Sequence, residues 1–396
     1  MMALQTAPLA EIADVVRGVT FSKSEAAAHP AKGMLPVLRA GNIQDRLVLD
    51  EDLVFVPQER VRQRQIIRRG DIVICTSSGS SEVVGKTALA EADWAGSFGA
   101  FCAGIRAKPS RADPAYLFHY LRSPVFRAWT QKSAGANIKN IRKSELDLFE
   151  VPIPPLPEQR RIADILNKAE GIRRKREQAL AMANKLLHSV FTKMFGDPRN
   201  NPKAFEVMPF SNVLSSGMRN GISPSSKGKV SAQVLTLSAI TGSRFDGTQR
   251  KEGKFLVPIA ENDQVSRDDF YICRGNGSPE LVGKGFFAGA SMPGVAFPDT
   301  MIAAKPDFEK VTRGFLEAIW NSPFVRTQII NAARTTNGTY KINQSATGAV
   351  SFPVPPINEQ REFDRFVARV RSVQQKLSTE TLLFESLLQR AFRGEL

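Results

Sequence analysis

The sequence is poor in the residues that most often build metal centres and nucleophilic active sites. Its 396 residues include only three histidines and three cysteines. The histidines are isolated along the chain: His29, His119 and His188. The cysteines lack a metal-binding spacing and cannot all pair as disulfides: Cys75, Cys102 and Cys273. We therefore expect no metal, no cofactor and no histidine-based nucleophile.

Motifs for other catalytic chemistry are also missing. Residues 79–87 read Gly-Ser-Ser-Glu-Val-Val-Gly-Lys-Thr, which resembles a phosphate-binding loop. That loop needs four residues between its glycines, whereas the spacing from Gly79 to Gly85 is one residue too long. No Asn-Pro-Pro-aromatic or Asp-Pro-Pro-aromatic element is present, so we expect that the chain cannot methylate adenine itself. The sequence predicts a protein that is not an enzyme.

Membrane and secretion signals are absent as well. No apolar run approaches the length of a membrane span, and the N-terminus carries Glu11 and Asp14 without a basic region. We therefore expect a cytoplasmic protein with no membrane partner. Tyrosine and tryptophan are scarce, at 4 and 3 residues, while the net charge is +15. This balance is typical of a protein that lies near a polyanion, and the few aromatics favour duplex over single-stranded nucleic acid.

A proline-rich motif is present twice. Residues 151–160 read Val-Pro-Ile-Pro-Pro-Leu-Pro-Glu-Gln-Arg, and residues 352–361 read Phe-Pro-Val-Pro-Pro-Ile-Asn-Glu-Gln-Arg. Prolines cannot continue a strand ladder or a helix, so each copy predicts a strand, a stop and then a helix. Asn358 replaces the equivalent of Pro157 and is itself a good helix cap.

Each motif is followed by apolar residues at alternating steps of three and four. This spacing predicts a helix of roughly 38 residues with a coiled-coil seam, in the same register in both copies. The predicted seam residues are Ile162, Ile165, Ala169, Ile172, Arg176, Leu186, Phe363, Phe366, Val370, Val373, Leu377 and Glu380. We expect the helices to pack on each other, and antiparallel pairing would place Arg173 opposite Glu380. The alternative is that each helix packs only on its own globular neighbour.

The segments before the helices also match. Residues 71–86 align without a gap on residues 269–284, and both segments end in Val-Gly-Lys. This spacing predicts two strands joined by a glycine-rich turn. Cys75 and Cys273 are equivalent in this alignment and lie in an apolar strand, so we expect them to be buried. Ser-Pro at residues 123–124 and at 322–323 predicts a capped helix start in each copy.

These doubled elements resemble the DNA specificity subunit of type I restriction-modification systems. The resemblance rests on the paired proline motifs, the heptad helices that follow them and the strand-turn-strand segments that precede them, and it covers nearly the whole chain. It implies an α/β (α+β) protein with two similar target recognition domains separated by two long helices that form an antiparallel coiled coil. Such subunits are not catalytic.

The resemblance also implies domain boundaries and partners. Residues 1–157 would form the first target recognition domain and 199–357 the second, while 158–198 and 358–396 would form the long helices. The implied partners are double-stranded DNA, two adenine methyltransferase subunits and, in the complete complex, an ATP-driven restriction subunit. The alternative is a stand-alone DNA-binding regulator built from a duplicated module.

Basic and amide-bearing loops are the candidate DNA contacts, because guanidinium and amide groups read base edges in the major groove. The candidates are Arg39, Asn42, Arg60, Arg62, Arg64, Ser78, Lys86, Arg244, Gln249, Arg250, Lys251, Arg274, Asn276 and Lys284. Residues 58–69 have no counterpart of similar composition in the second half, so we predict that the reading loops of the two halves differ. For each residue the alternative is an ordinary solvated surface, and turns such as residues 139–143 could face either DNA or the methyltransferase.

Overall fold

The chain folds into two compact units. The computed structural model describes residues 5–80, 82–133, 139–336, 338–378, 382–392 and 395. One unit comprises Met1–Gln178 together with Leu377–Leu396, and the other comprises Ala179–Lys376. We call these the first and second units. The end of the chain therefore belongs to the first unit, and each unit contains part of both long helices. No helix within the described ranges is long and apolar enough to cross a membrane.

Each unit contains a four-stranded antiparallel sheet, which we call its main sheet. Its strands in the first unit, in spatial order, are Ala13–Arg17, Cys102–Ala107, Ile72–Cys75 and Thr87–Leu89. In the second unit they are Arg219–Asn220, Met301–Ala304, Phe270–Cys273 and Gly285–Phe287. The predicted strand-turn-strand segments are confirmed in both units. The strands Ile72–Cys75 and Phe270–Cys273 are buried along their whole length, as their apolar runs require.

A smaller side sheet mixes parallel and antiparallel pairing. In the first unit it contains Val54–Pro57, Met34–Leu38 and Ser97–Phe98. In the second unit it contains Arg250–Phe255, Val230–Leu235, Met292–Ala296 and Gln264–Val265. A further strand pair joins the first strand of each repeat to the strand before its long helix: Thr6–Pro8 with Glu150–Pro152, and Glu206–Pro209 with Ser351–Val354. The predicted mixed α/β architecture is confirmed.

The three helices between the main sheet and the long helix follow the same order in both halves of the chain. In the first half the helices are Leu9–Ile12, Pro114–Tyr120, Pro124–Ser133, Lys143–Asp147 and the first long helix, Leu156–Phe195. The others are Ser238–Thr241, Arg313–Trp320, Pro323–Ala332, Gln344–Ala349, Ile357–Ser378 and Leu382–Phe392. We call the last two together the second long helix. Short 3-10 turns occupy Lys23–Glu25, Ala40–Asn42, Gln58–Arg60, Gln63–Gln65, Phe210–Val213 and Glu261–Asp263. The predicted Ser-Pro helix starts are confirmed, since Ser322 Oγ accepts a hydrogen bond from the Val325 amide.

The glutamine of the proline motif fixes the start of the first long helix. Gln159 is fully buried, with 0% of its surface exposed. Its Nε2 donates to the carbonyl oxygens of Pro154 at 2.8 Å and Arg111 at 3.1 Å, and its Oε1 accepts from the Asp113 amide at 2.9 Å. One side chain thus joins the proline run, the helix and the loop before Pro114–Tyr120.

The second unit repeats this arrangement. Gln360 is also fully buried. Its Nε2 donates to Pro355 O at 2.7 Å and Lys310 O at 2.9 Å, and its Oε1 accepts from the Thr312 amide at 2.9 Å. The glutamine of each Glu-Gln-Arg therefore anchors the long helix to its domain, in addition to lying at the start of the helix.

Within each unit the start of one long helix packs against the end of the other. In the first unit Ile162 and Leu166 share an apolar cluster with Leu388 and Ala391. In the second unit Phe191 and Phe363 pack edge to face with ring centroids 5.6 Å apart. Contacts between opposite ends are those of an antiparallel pair, as the family resemblance implied. Each helix start also packs on its own globular neighbour, for example through Tyr116 beside Ile162.

The predicted seam is buried mainly towards the helix ends. Ile162, Phe363 and Val370 are buried, whereas Ile172, Leu186 and Val373 are about half exposed. The remaining described seam positions are half-buried: Ile165, Ala169, Arg176, Phe366 and Leu377. The tightest packing occurs where a long helix also meets a globular domain. Glu380 lies outside the described residues, and Arg173 pairs with Glu170 and Glu177 of its own helix.

The buried glutamines generate a stability prediction. We expect Gln159→Ala to destabilise the first unit by about 1–3 kcal/mol, because it leaves buried backbone groups without partners. Hydrogen exchange measured by mass spectrometry should show faster exchange in peptides that contain Asp113. Gln360→Ala should have the same effect on peptides that contain Thr312. Gln178→Ala, at an exposed position of the same helix, is the control and should change neither. Unchanged exchange at Asp113 in Gln159→Ala would contradict the anchor.

Candidate nucleic-acid interface

The glycine-rich turn of the first unit lies at one end of its main sheet. After Ile72–Cys75 the short strand Ser77–Ser78 pairs antiparallel with Lys139–Asn140. The chain then returns through Gly85, whose amide donates to Cys75 O at 2.8 Å. Gly85 has φ +82°, and a Cβ there would lie 2.7 Å from Thr130 Cγ2. This glycine is required by the turn and its packing, which accounts for the pattern that resembled a phosphate loop.

The second unit builds the same turn. Its short strand Gly275–Asn276 pairs with Thr339–Lys341, which also pairs with Arg334–Thr336. The Gly283 amide donates to Cys273 O at 2.7 Å. Gly283 has φ +73°, as its equivalent in the first unit does. The alignment made from sequence is therefore confirmed residue by residue at this turn.

Two further segments join each turn at the same end of the sheet. In the first unit the amides of Thr76 and Ser77 donate to Phe101 O, and the Ile141 amide donates to Thr76 O. In the second unit the Arg274 amide donates to Thr300 O at 2.8 Å, and the Ile342 amide donates to Arg274 O at 2.9 Å. We call these three-segment regions the tips. The tip of the first unit comprises residues 76–78, 99–102 and 139–141. The tip of the second unit comprises residues 274–276, 298–301 and 339–342.

A basic loop of the first unit presents three candidate arginines. Gln65 is buried and anchors this loop, since its Oε1 accepts from the Arg62 amide at 2.9 Å and its Nε2 donates to Arg17 O at 3.0 Å. The side chains of Arg62 and Arg64 remain exposed. Arg60 is exposed too but forms an ion pair with Glu25. The fold thus holds the loop backbone while its guanidinium groups stay on the surface.

The structure corrects the prediction that Asn42 is a DNA contact. Asn42 is buried, and its side chain is fully used inside the protein. Its Oδ1 accepts from the Arg39 amide at 2.8 Å, and its Nδ2 donates to Val48 O at 3.2 Å and Glu51 O at 2.7 Å. Asn42 therefore stabilises a loop rather than contacting DNA. Arg39 is exposed and lies 3.6 Å from Asp52.

Two other candidates of the first unit lie on or beside its tip. Ser78 is half-buried, and its Oγ accepts from the Ser80 amide at 3.2 Å. Lys86 is exposed at the end of the glycine-rich turn. Both side chains can reach a ligand that approaches this end of the sheet.

In the second unit the side chain of Lys284 bonds to backbone carbonyl oxygens of a neighbouring loop. Its Nζ donates to Thr241 O at 3.0 Å and to Gly242 O at 3.3 Å. This contact ties the glycine-rich turn to the loop that carries four exposed candidates. These are Arg244, Gln249, Arg250 and Lys251. Lys284 thereby brings the basic loop and the tip together, although its own ammonium group is already engaged.

The tip of the second unit carries the two remaining candidates, and both are half-buried. Arg274 Nη1 donates to Asp299 O at 3.1 Å. Asn276 Oδ1 accepts from the Ser278 amide at 3.0 Å. Each side chain supports the local turn and keeps further donors for a ligand.

The basic loops of the two units lie at different places in the fold. In the first unit the arginines follow the side-sheet strand Val54–Pro57, whereas in the second unit the basic residues lead into Arg250–Phe255. The first-unit segment before its strand is acidic instead, with Asp50, Glu51 and Asp52. Because the sheets supply the buried core, the exposed loops are free to differ in length and charge.

The predicted burial of Cys75 and Cys273 is confirmed. Cys75, Cys102 and Cys273 are all buried and free. Burial raises the pKa of Cys102 to about 12 and that of Cys273 to about 11. The thiols therefore remain protonated at neutral pH and are poor nucleophiles. Among the described residues no group of His, Cys, Asp and Glu could hold a metal ion.

A charged cluster that sequence reasoning missed fixes the first long helix further along. Glu170 is buried and lies 2.7 Å from Arg173, 3.3 Å from Arg174 and 3.5 Å from Arg122 of the globular domain. Burial opposes its ionisation, but the hydrogen bond from Arg173 and the three positive charges lower the pKa of Glu170 to about 2. The carboxylate is thus charged and held between helix and domain.

The second unit has the opposite arrangement of charges at the equivalent position of its long helix. Here the domain supplies the acid, Glu317, and the helix supplies the base, Arg371, in an ion pair. Glu317 Oε1 also accepts from the Phe287 amide at 2.8 Å. Burial raises the pKa of Glu317, and Arg371 opposes that shift. No periodicity in the sequence signals either contact.

Known proteins share this chain's sequence and fold. A family model described as the type I restriction modification DNA specificity domain matches residues 3–181. The chain is 32% identical to the StySPI specificity subunit of Salmonella potsdam, with 99% of this chain and 89% of that protein covered. It is 30% identical to the EcoKI specificity subunit of Escherichia coli K12, with 98% and 88% covered.

Solved structures show the same fold at lower identity. The S subunit of a type I restriction-modification system from M. genitalium superposes with a TM-score of 0.60 at 14% identity, covering 98% of this chain and 96% of that one. A chain from a study of the assembly and conformational transition of the type I system gives 0.51 at 18% identity, with 100% and 99% covered. At these identities the likeness concerns the fold alone.

The exposed arginines of the first unit generate a binding prediction. We expect Arg62→Ala with Arg64→Ala to weaken duplex binding and to alter sequence preference in one half of the target only, with about 1–3 kcal/mol lost per bidentate base contact. Binding-site selection from a random duplex library measures this. The matched control is Arg250→Ala with Lys251→Ala, which removes the same charge from the second unit and should alter the other half. A lower salt dependence with unchanged preference would identify the arginines as phosphate contacts instead.

Proposed function

The chain belongs to the type I restriction-modification DNA specificity family, and from this membership we propose how its two units select a DNA target. The protein is a DNA-targeting specificity subunit that acts in a complex with methyltransferase and restriction subunits. It carries no catalytic step itself. Identity of about 30% to two specificity subunits over nearly the whole chain is the observation that carries this conclusion.

Each target recognition domain reads one half of a bipartite, asymmetric duplex sequence. Residues 1–157 form the first domain and residues 199–357 the second. Support comes from the two main sheets, which share one strand order, together with surface loops that differ in position and charge. Because the two main sheets share one strand order, the two domains should dock on a duplex in the same way. Because their surface loops differ, the two domains should recognise different base sequences. The reading groups are the exposed basic loops and the tips.

Two adenine methyltransferase subunits are the proposed partners on the protein side. A chain whose domain frame is present twice offers two equivalent surfaces to identical partners. An ATP-driven restriction subunit would complete the assembly. The long helices, 158–198 and 358–396 by the sequence boundaries, set the spacing between the two half-sites. The shared helix contacts within each unit support this role.

The proposal predicts a change in the methylome. Deleting the gene for this chain should abolish N6-methyladenine at one bipartite sequence of the host genome, and restoring the gene should return it. Long-read sequencing of native DNA measures the mark at every site. The purified chain alone, incubated with DNA and a methyl donor, is the control and should transfer no methyl groups. Methylation that is unchanged by the deletion, or methyl transfer by the chain alone, would contradict the proposal.

Lengthening both helices should change the DNA spacer. Duplicating residues 172–178 at the boundary after Gln178, and residues 370–376 after Lys376, adds one heptad to each helix and preserves the seam. The added length is about 10 Å at 1.5 Å per residue, which corresponds to roughly 3 bp of duplex. Binding-site selection with a randomised spacer should therefore yield a longer spacer than the parent selects.

One further variant serves as the control for the spacer experiment. Duplicating the heptad in the first long helix alone shifts its end relative to the second helix, so this variant should lose selective binding. The added 3 bp also rotate one half-site around the duplex axis, and twisting of DNA or helices must absorb that rotation. Selection of the original spacer by the doubly lengthened protein would show that something other than these helices sets the spacing.

A further inference from the structure

Residues 99–102 and residues 298–301 form equivalent turns at the two tips. In the first unit the Cys102 amide donates to Gly99 O at 2.8 Å, which closes a four-residue turn. In the second unit the Met301 amide donates to Pro298 O at 2.9 Å. Each turn also accepts hydrogen bonds from the segment that follows a buried strand of the main sheet. Phe101 O accepts from the Thr76 and Ser77 amides, and Thr300 O accepts from the Arg274 amide. The two backbones are therefore held in the same way.

The third residue of these turns differs between the units. It is Phe101 in the first and Thr300 in the second, and both are exposed. Phe101 is held by its carbonyl oxygen, which accepts from Thr76 N at 2.9 Å, Ser77 N at 3.1 Å and Thr76 Oγ1 at 3.1 Å. Because Thr300 forms the same turn with a small polar side chain, the fold does not require an aromatic ring here.

Phe101 stands apart from the other aromatic residues of the chain. Its side chain is 67% exposed, and it is the single aromatic among the large hydrophobic residues that are exposed in the described part of the chain. Isolated exposed aliphatic residues are normal on protein surfaces. Three hydrogen bonds to its carbonyl oxygen hold the backbone of Phe101 at the tip, so its largely exposed ring is an apolar group carried on a fixed backbone.

The neighbours of Phe101 are polar groups suited to a duplex. Ser77 and Ser78 are half-buried beside it, and Asn140 is exposed on the paired strand. Hydroxyl and amide groups of this kind bond phosphates and base edges. An apolar ring among them needs an apolar group on the ligand. In the major groove the thymine C5-methyl is the apolar group that base edges present.

We propose that Phe101 is a specificity-determining residue of the first unit and contacts a thymine methyl group in the half-site which that unit reads. The inference rests on the proposed function, since it requires a duplex at the tip. It adds a residue whose chemistry, an apolar contact, differs from that of the basic candidates. The second unit, with Thr300 at the same place, makes no equivalent aromatic contact.

The test removes the methyl group without changing base pairing. A random duplex library is prepared once with thymidine and once with deoxyuridine, and sequences are selected with the full chain in complex with its methyltransferase subunits. With the wild-type chain, preference should fall about fourfold at one thymine position, as expected when one methyl group loses an apolar contact. That position should lie in the half-site altered by the Arg62 and Arg64 substitutions. This arm needs no variant of Phe101.

Phe101→Thr supplies the second arm, because Thr300 shows that threonine is compatible with the turn. This variant should select the thymine position less strictly and should respond equally to the two libraries there. Leu148→Ala, which removes an exposed apolar side chain elsewhere in the first unit, is the matched control and should behave like the wild type.

Two results would overturn the inference alone while leaving the proposed function in place. One is a bipartite selection by the wild-type chain that is identical in both libraries at every position of the first half-site. The other is a loss of binding in Phe101→Thr that is equal for all sequences, which would indicate a wedge or a non-specific contact. Failure of the wild-type complex to select any bipartite sequence would overturn the proposed function, and this inference with it.

Discussion

The arrangement of the long helices depends on one buried hydrogen-bonded group in each unit. A buried amide side chain without partners costs free energy, so Gln159 and Gln360 permit only the docking geometry in which all their bonds are made. Each glutamine holds three backbone groups from two segments, the proline run and the loop before a domain helix. The direction in which a helix leaves its domain is thereby fixed at its first turn. A helix used to set a distance needs such a rigid origin.

A second contact, an ion pair, joins the long helix to the domain in each unit. Opposite charges meet in both units, but the residues that carry them differ. In the first unit the helix supplies Glu170 and the domain Arg122, while in the second the helix supplies Arg371 and the domain Glu317. Exchanging the signs keeps the attraction at the same position of the helix, although the domain residues differ, since Glu317 aligns with Phe118. Removing one partner would leave a buried carboxylate without its counter-charge.

The sequence predicted those features that depend on local pattern. The proline motifs and the heptad spacing located the long helices. The alignment of residues 71–86 with 269–284 located the strands and the glycine-rich turns. These elements are predictable because their periodicity depends on residues close together in the sequence. The sequence could not locate contacts between distant segments. Asn42 looked like a base-reading amide, yet its bonds to Val48 O and Glu51 O place it inside a loop. The half-exposed Ile172 likewise occupies a heptad position that pattern alone assigns to a buried seam.

The separation of buried frame and exposed surface explains how one architecture can serve many DNA sequences. The main sheets are covered and keep one strand order, so substitutions there change stability. The tips are held through backbone hydrogen bonds, which leaves their side chains free to vary, as Phe101 and Thr300 do on equivalent turns. Recognition can therefore change in one unit without disturbing its fold or the other unit. Because the helix anchors Gln159 and Gln360 lie in the buried frame, the docking of the long helices can persist while the side chains of the tips are replaced.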